Sequence, residues 1–596
     1  MLNKEGIRIL YIDLTTEEVE KIERQDLKDY LGGVGVAIKL FDEYKQPDLD
    51  VFHEKQPIIF SIGPLETIYP VVTKTVAVFR SPLTGELGES YAGLRLGMAI
   101  RFAGYDAILI TGKAKGPIYL SINSQSVELK KAQPLWGLDT EESGRLLREM
   151  ESGSGLRSIL RIGQGGERGI RYAGVNVDTY RHFGRLGLGS LFGSKNLKGM
   201  VITGDSTVPI EGKKEYQKTY AEIYKKVTET DVMEKYHGLG TTVNVIPLND
   251  MNGLPTRNLK QSYFEAADEV SGEAFAKEKL IRKIACTGCP IGCIHIGLYR
   301  NQFQEPMEYE YSPVAYDHEL VFAVGTFIGI KDKNKILAII DCIEKLGLDC
   351  ITTGVLLGWI TEAYKSGIIT EKDLDLQVDF GNESAYIQII ENIVNEKNSF
   401  YKDLAFGTGY ASKKYGGEDF AAVLGGHEIA GYHTGYGNLL GMAVGARHSH
   451  LDNAGYSIDQ ATDPADQDQI VDKLIEEEIT RNILNCLVIC LFARNIYDLG
   501  TVIKALETIG ISWKEDELKK LGKKIFYLKI QVKKTLGFDY KKIAFPKRFF
   551  ETETLHGKMD QDIAMELLRL YNKKIDQICS EATTLFATTE SQGRMV

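Results

Sequence analysis

The chain has 596 residues, of which 82 are acidic against 71 Lys and Arg, leaving a formal charge of −11. At roughly 150 residues per domain this length suits two or three packed domains, and a mildly acidic chain with no dense Lys/Arg run offers no phosphate-tracking groove, which excludes a nucleic-acid binder. Hydrophobic content of 43% and charged content of 26% are those of a globular protein, and no apolar run reaches the length of a membrane-spanning helix.

Met1–Gly6 lacks the basic and apolar regions of a secretory signal, so the expectation is a cytoplasmic protein with reduced thiols. Through about Asp205 the chain shows short β-branched and aromatic runs separated by glycines: Ile7–Ile12, Pro57–Ile62, Ala107–Ile110 and Ile118–Ile122. These predict strands, and the glycines between them predict tight turns or a backbone that approaches a ligand closely. From about Ile210 the pattern changes to longer segments with apolar residues at helical spacing, as in Lys213–Val232 and Asn334–Lys345. Gly416-Gly417-Glu418-Asp419 suits a second boundary, after which Glu476–Arg494 and Glu515–Lys534 again predict helices. The expected fold class is α+β: a sheet-rich domain over residues 1–208, then two mainly helical domains over 209–418 and 419–596. No repeat at a solenoid period is visible.

None of the eight cysteines lies before Cys286, and three of them form the run Cys286-Thr287-Gly288-Cys289-Pro290-Ile291-Gly292-Cys293. Three thiolates at such spacing face one centre if the backbone turns tightly around it. Four-iron four-sulfur clusters take four thiolates, the fourth commonly from far along the chain, and Cys490 and Cys486 are both candidates. Zinc is the rival metal, but it more often shows paired knuckles or spaced histidines, and His295 follows Cys293 too closely to serve it well. Cys342, Cys350 and Cys579 read as ordinary buried residues.

Several separated motifs, taken in order, resemble the tungsten-dependent aldehyde ferredoxin oxidoreductase family. They are Ser81-Pro82-Leu83-Thr84-Gly85, Phe102-Ala103-Gly104-Tyr105-Asp106-Ala107, Ile162-Gly163-Gln164-Gly165-Gly166-Glu167, Arg181-His182-Phe183-Gly184-Arg185-Leu186-Gly187-Leu188-Gly189 and Gly193-Ser194-Lys195-Asn196-Leu197-Lys198. The cysteine run follows, then Leu346-Gly347-Leu348-Asp349 and Ile489-Cys490-Leu491-Phe492, which resemble the family's two pterin-binding D-x-x-G-L-(D/C) segments. The resemblance extends from Gly6 to about Phe549. It implies a sheet base carrying a tungsten, or molybdenum, bis-molybdopterin, closed over by two helical domains, with a 4Fe-4S cluster beside it.

Carried over residue by residue, the resemblance implies Cys286, Cys289, Cys293 and Cys490 as cluster ligands, and Arg181 and Arg185 on the pterin phosphates. A phosphate-contacting Arg of the family falls on Lys74, which keeps the charge and loses the fork. Tyr91 and His182 would give carbonyls to a magnesium bridging the phosphates, with Gly93 and Gly184 beside them. Glu344, Gly347, Leu348 and Asp349 make the first pterin segment. The second is eroded, with Asn485 for Asp and Val488 for Gly before Ile489. The family's Glu and His beside the metal fall on Glu310 and on His450, with His448 as rival. The implied activity is oxidation of an aldehyde to an acid, with electrons passing to ferredoxin or an iron–sulfur partner subunit, in some members within a larger flavin- and nicotinamide-linked assembly. The alternatives are a reductive member acting on an acid or aromatic thioester, and a noncatalytic zinc or iron–sulfur scaffold. The polar tail from Thr588 to Val596 departs from the family's aromatic, glycine-rich end.

Overall fold

A computed structural model of the protein describes residues 6–151, 155–210, 212–305 and 307–593. Residues 1–5, read for a secretory signal, and the last residues of the polar tail, 594–596, lie outside the described residues.

The first sheet consists of β1 (Ile7–Asp13), β2 (Glu18–Arg24), β3 (Ile58–Ser61), β4 (Thr75–Arg80), β5 (Leu87–Ala92) and β6 (Ala107–Thr111), in the order β2-β1-β6-β3-β4-β5. The second consists of β7 (Ile118–Ile122), β8 (Val127–Lys131), β9 (Leu156–Arg161), β10 (Val175–Val177), β11 (Arg181–Phe183) and β12 (Leu197–Gly204), in the order β11-β10-β9-β12-β7-β8. The apolar runs read as strands from the sequence are β1, β3, β6 and β7. Their near-continuous hydrophobicity has a reason: the first sheet is buried on both faces. Leu10, Ile12, Ile58, Phe60, Ile108 and Ile110 face the second sheet across one core, whereas Ile7, Ile9, Ile59 and Leu109 face the helix Gly33–Tyr44 and the carboxy-terminal helices. Alternate residues of one strand therefore serve two cores.

The two sheets repeat one topology. In each, a hairpin is followed by three successive antiparallel strands, and the last strand returns parallel to the first, β6 beside β1 and β12 beside β7. A helix follows each hairpin, Gly33–Tyr44 in the first half and Thr140–Met150 in the second, and another precedes each closing strand, Leu96–Phe102 and Leu188–Ser194. Sequence period searches miss this duplication because its two copies share pairing, not residues. The edge strands β5 and β11 meet at the junction of the halves.

Helices dominate after residue 212, and the α+β class expected from the sequence is the observed one. A large core runs from Ile170 through Trp359, Tyr386 and Met442 to Ile575. Lys333–Leu346 and Glu515–Thr535 match the predicted helices closely. The helix Gln467–Cys486 stops well short of Arg494, because Val488 takes a left-handed turn (φ 54°) that sends Ile489 and Cys490 toward the sheet base. A three-stranded sheet, β13 (Leu280–Ile284), β14 (Ile294–Gln304) and β15 (Glu308–Tyr316), projects from the helical part.

Candidate functional site

A cavity of about 400 Å³ lies where the sheet base, the β13–β14 turn and the two helical parts meet. It is lined by Lys74, Tyr91, Gly93, Arg181, His182, Gly184, Arg185, Glu344, Leu348, Asp349, Asn485, Ile489, His450 and all four of Cys286, Cys289, Cys293 and Cys490. Four regions far apart in sequence thus converge on one space. Gly347, Glu310 and His448 stand outside the lining.

The three near cysteines occupy the turn between β13 and β14, whose strands pair up to Ile284 and Ile294. The Cys289 N–H donates to the Cys286 carbonyl at 3.0 Å, closing the turn. Gly93 is required beside it, since a Cβ there would lie 2.6 Å from Cys286 Sγ. Cys490 arrives from the other side: its N–H donates to the Val71 carbonyl at 3.1 Å, and the Val71 N–H donates to the Gly288 carbonyl at 3.4 Å. Cys486 instead packs into the core against Gly35, and His295 turns its Nε2 to the His237 carbonyl at 3.2 Å. Among the described residues no three ligating side chains converge on one ion position, so the thiols surround a space and do not close on a point.

Electrostatics favour a deprotonated form of this cage only when something balances it. Burial raises the Cys289 thiol to about 12 and the Cys293 thiol to about 11. Lys74 and Arg181 are buried beside them; burial opposes their charge, but Cys490 and Cys286 raise Lys74, and Cys293, Asp317 and Cys286 raise Arg181. Thiols held protonated by burial become thiolates on binding metal, with two cations already in place.

Two loops carry the helical parts onto the base in matching ways. In the first, the Gly174 N–H donates to the Gly347 carbonyl and the Asp349 N–H to the Tyr172 carbonyl, both at 2.9 Å. In the second, the Lys74 N–H donates to the Val488 carbonyl at 3.2 Å, as Cys490 does to Val71. Gly347 sits at φ 73°, and a Cβ there would lie 2.7 Å from the Gly163 nitrogen, so its place is structural, under the cavity wall. Asp349 caps the helix Cys350–Lys365 through Ile351 and Thr352 N–H groups, and lies 3.5 Å from Arg185 Nε.

The arginines are under-satisfied. Arg181 Nε and Arg185 Nε and Nη1 are buried without a hydrogen bond, although Arg185 Nη2 donates to the Glu428 carbonyl at 2.6 Å. Buried guanidinium donors lacking acceptors are costly unless an anion fills the space. This cradle fits the phosphates of a pterin cofactor. His182 Nε2 contacts Glu344, and His182 and Tyr91 occupy corresponding positions on β11 and β5, opposite Asn176 and Val76.

Glu310 does not reach the cavity: it is exposed on the outer hairpin, paired with Asn301. Of the carboxylates that line the cavity, the one beside His450 is Glu319, in the first turn of the helix His318–Val324, which Asp317 caps. Glu319 Oε1 lies 3.4 Å from His450 Nε2 and makes no hydrogen bond, while the Gly431 N–H donates to Oε2 at 2.9 Å. Burial raises the Glu319 carboxyl to about 7 and, with Arg185 and Arg481 nearby, holds the His450 imidazole well below its ordinary value. The sequence signal for Glu319 is Asp317-His318-Glu319, an N-cap with a carboxylate two residues on, whereas Glu308-Tyr309-Glu310, matched to the family's acid, sits near the outer end of β15 away from the cavity.

His448 and His450 do not share a side. His448 is left-handed (φ 54°), whereas Ser449 caps the short helix that begins at His450. His448 Nε2 lies 2.7 Å from buried Glu86, which Lys533 also faces at 3.2 Å. Burial opposes ionisation of Glu86, but Lys533 and His448 hold its carboxyl below the ordinary range. Its neighbour Glu89 pairs with Lys529 at 2.6 Å. Two lysines of the helix Glu515–Thr535 thereby lock β5 under the His450 loop.

Thiols around a shared space, under-satisfied arginines and a buried carboxyl–imidazole pair meet in one cavity on a duplicated sheet base, an arrangement that suits a redox cofactor. The family described as aldehyde ferredoxin oxidoreductase matches almost throughout: its N-terminal domain over residues 9–204 and its domains 2 and 3 over residues 218–575. The chain belongs to the aldehyde ferredoxin oxidoreductase family of oxidoreductases. It is 30% identical to the tungsten-containing aldehyde ferredoxin oxidoreductase of Pyrococcus furiosus over 574 residues, 92% of each chain, and 31% identical to that of Thermococcus kodakarensis over 575 residues, 92% of each. It is also 30% identical to the WOR-like subunit of the aliphatic sulfonate oxidoreductase of P. furiosus, over 87% of this chain and 85% of that one. In fold it is similar to a chain of the benzoyl coenzyme A reductase BamBC complex, with a TM-score of 0.81, 20% identity, and coverage of 96% of this chain and 94% of that one. No helix of the described residues is long and apolar enough to cross a membrane.

Proposed function

We propose that the protein oxidises an aldehyde to a carboxylic acid and passes the electrons to ferredoxin or an iron–sulfur partner subunit. The observation that carries this reading is the Glu319–His450 pair facing the same cavity as four cysteines and two under-satisfied arginines. When bound, a tungsten or molybdenum bis-molybdopterin supplies the two-electron chemistry and a 4Fe-4S cluster the single-electron exit. An aldehyde and a water give an acid, two protons and two electrons.

The chain's own residues divide that work. Arg181, Arg185 and Lys74 bind the cofactor's anionic groups, and the Tyr91 and His182 backbone at the junction of the two halves suits a bridging magnesium. Cys286, Cys289, Cys293 and Cys490 hold the cluster. Glu319 takes a proton at Oε1, and a carboxyl raised to about 7 is matched to base chemistry near neutrality. His450, kept neutral by burial and by Arg185 and Arg481, orients substrate through an imidazole nitrogen. The same residues run in reverse for an acid or aromatic thioester.

The test is dye-linked oxidation of an aldehyde, and reduction of the matching acid with a low-potential donor, by anaerobically purified protein. Turnover that Glu319→Gln abolishes supports the reading. A fully metal-loaded protein inert in both directions points to the scaffold alternative.

A further inference from the structure

Beside the Glu319–His450 pair the cavity wall is aromatic. Tyr432 and Tyr456 stack with centroids 4.7 Å apart and planes 22° apart, and Tyr432 also lies 4.7 Å from the His450 ring. Tyr236 and Phe492 stack at 4.2 Å and 11°. All four line the cavity.

These rings come from four separate segments. Tyr236 stands on a π-helical turn, Met233–Leu239, beyond the helix Lys213–Thr228. Tyr432 follows the small hairpin ending at Glu428, Tyr456 lies in the helix Gly455–Ala461, and Phe492 follows Cys490. A stripe on one helix is ordinary core packing, but rings converging from four elements onto a cavity, one on a π-turn, form a built surface. Leu451, 38% exposed and also in the lining, marks where this wall meets solvent.

We infer that the substrate carries a single aromatic ring, held against Tyr432 and Tyr456 with its carbonyl carbon directed at Glu319 and His450. Flat rings bind such faces by offset or edge contacts that a saturated ring of equal size lacks. The inference rests on the aldehyde reading and deepens it by naming the substrate class.

The experiment measures binding of benzoate and of cyclohexanecarboxylate to the purified holoprotein by calorimetry, together with turnover of benzaldehyde and cyclohexanecarbaldehyde. The expected result is about tenfold tighter binding of benzoate. Tyr456→Leu should bring that ratio close to one, while Tyr456→Phe, which keeps the ring, should retain it. Equal binding of the two acids, or a ratio untouched by Tyr456→Leu in a folded protein, overturns the inference. A benzoate preference without turnover of either aldehyde leaves the inference standing and removes the aldehyde-oxidation reading instead.

Discussion

The two halves of the sheet base share one topology and accept one helical loop each, yet they end in different chemistry. The second half receives Glu344–Asp349, and its loop finishes in a carboxylate that caps a helix and faces Arg185. The first half receives Asn485–Cys490, and its loop finishes in a thiol beside Lys74 and the cysteine turn. Equivalent backbone hydrogen bonds hold both. A duplicated scaffold thus places an arginine facing a carboxylate on one side of the cavity and a thiol beside a lysine on the other.

The largest effect expected from breaking this difference is at the thiol. Cys490→Ser should remove most of the iron and the visible charge-transfer absorption, whereas Asp349→Asn should leave iron unchanged; iron retained in Cys490→Ser rules out the assignment. Next comes the acid–imidazole pair that the helical parts bring to the cavity. Glu319→Gln should lower turnover by about 10²–10⁴-fold and erase the rise of rate with pH through about 7 that the raised carboxyl produces. A pH profile identical in the variant would show that another group titrates.

Smaller effects probe how each half is held. Lys533→Met leaves Glu86 and His448 buried without their cation, and should cost about 3–5 kcal/mol in denaturant unfolding. The loop swap is finer. Gly347→Val should cost several kcal/mol, on the order of ~3, because its Cβ meets the Gly163 nitrogen. Val488→Gly should change stability by no more than about 2 kcal/mol: relief of left-handed strain, ~1–2 kcal/mol, offsets much of the loss of a fully buried side chain, ~1.5–3 kcal/mol. A large loss in Val488→Gly would mean the turn is held by packing alone.

Much of this was legible in the sequence, for definite reasons. Strands buried on both faces read as apolar runs, and a cysteine run with glycines reads as a turn around a centre. Glycine and charge motifs along the chain located the cavity's lining from Lys74 to Ile489. What stayed hidden depended on distance. The duplication is written in hydrogen-bond pairing, not in residue identity. Glu310 lies near the outer end of β15 and Glu319 just past its inner end, a strand length that no motif records, and the opposed directions of His448 and His450 follow from one left-handed residue. The helix ending at Cys486 was overrun because helical spacing continues past the point where Val488 turns the chain.

The central claim is that this cage of thiols and cations holds a pterin-bound metal and an iron–sulfur cluster together. Elemental analysis of anaerobically purified protein for tungsten, molybdenum, iron and zinc tests it most directly. The account predicts about one tungsten or molybdenum and about four irons per chain. Zinc alone, with little iron and neither heavy metal even from supplemented cells, would contradict it.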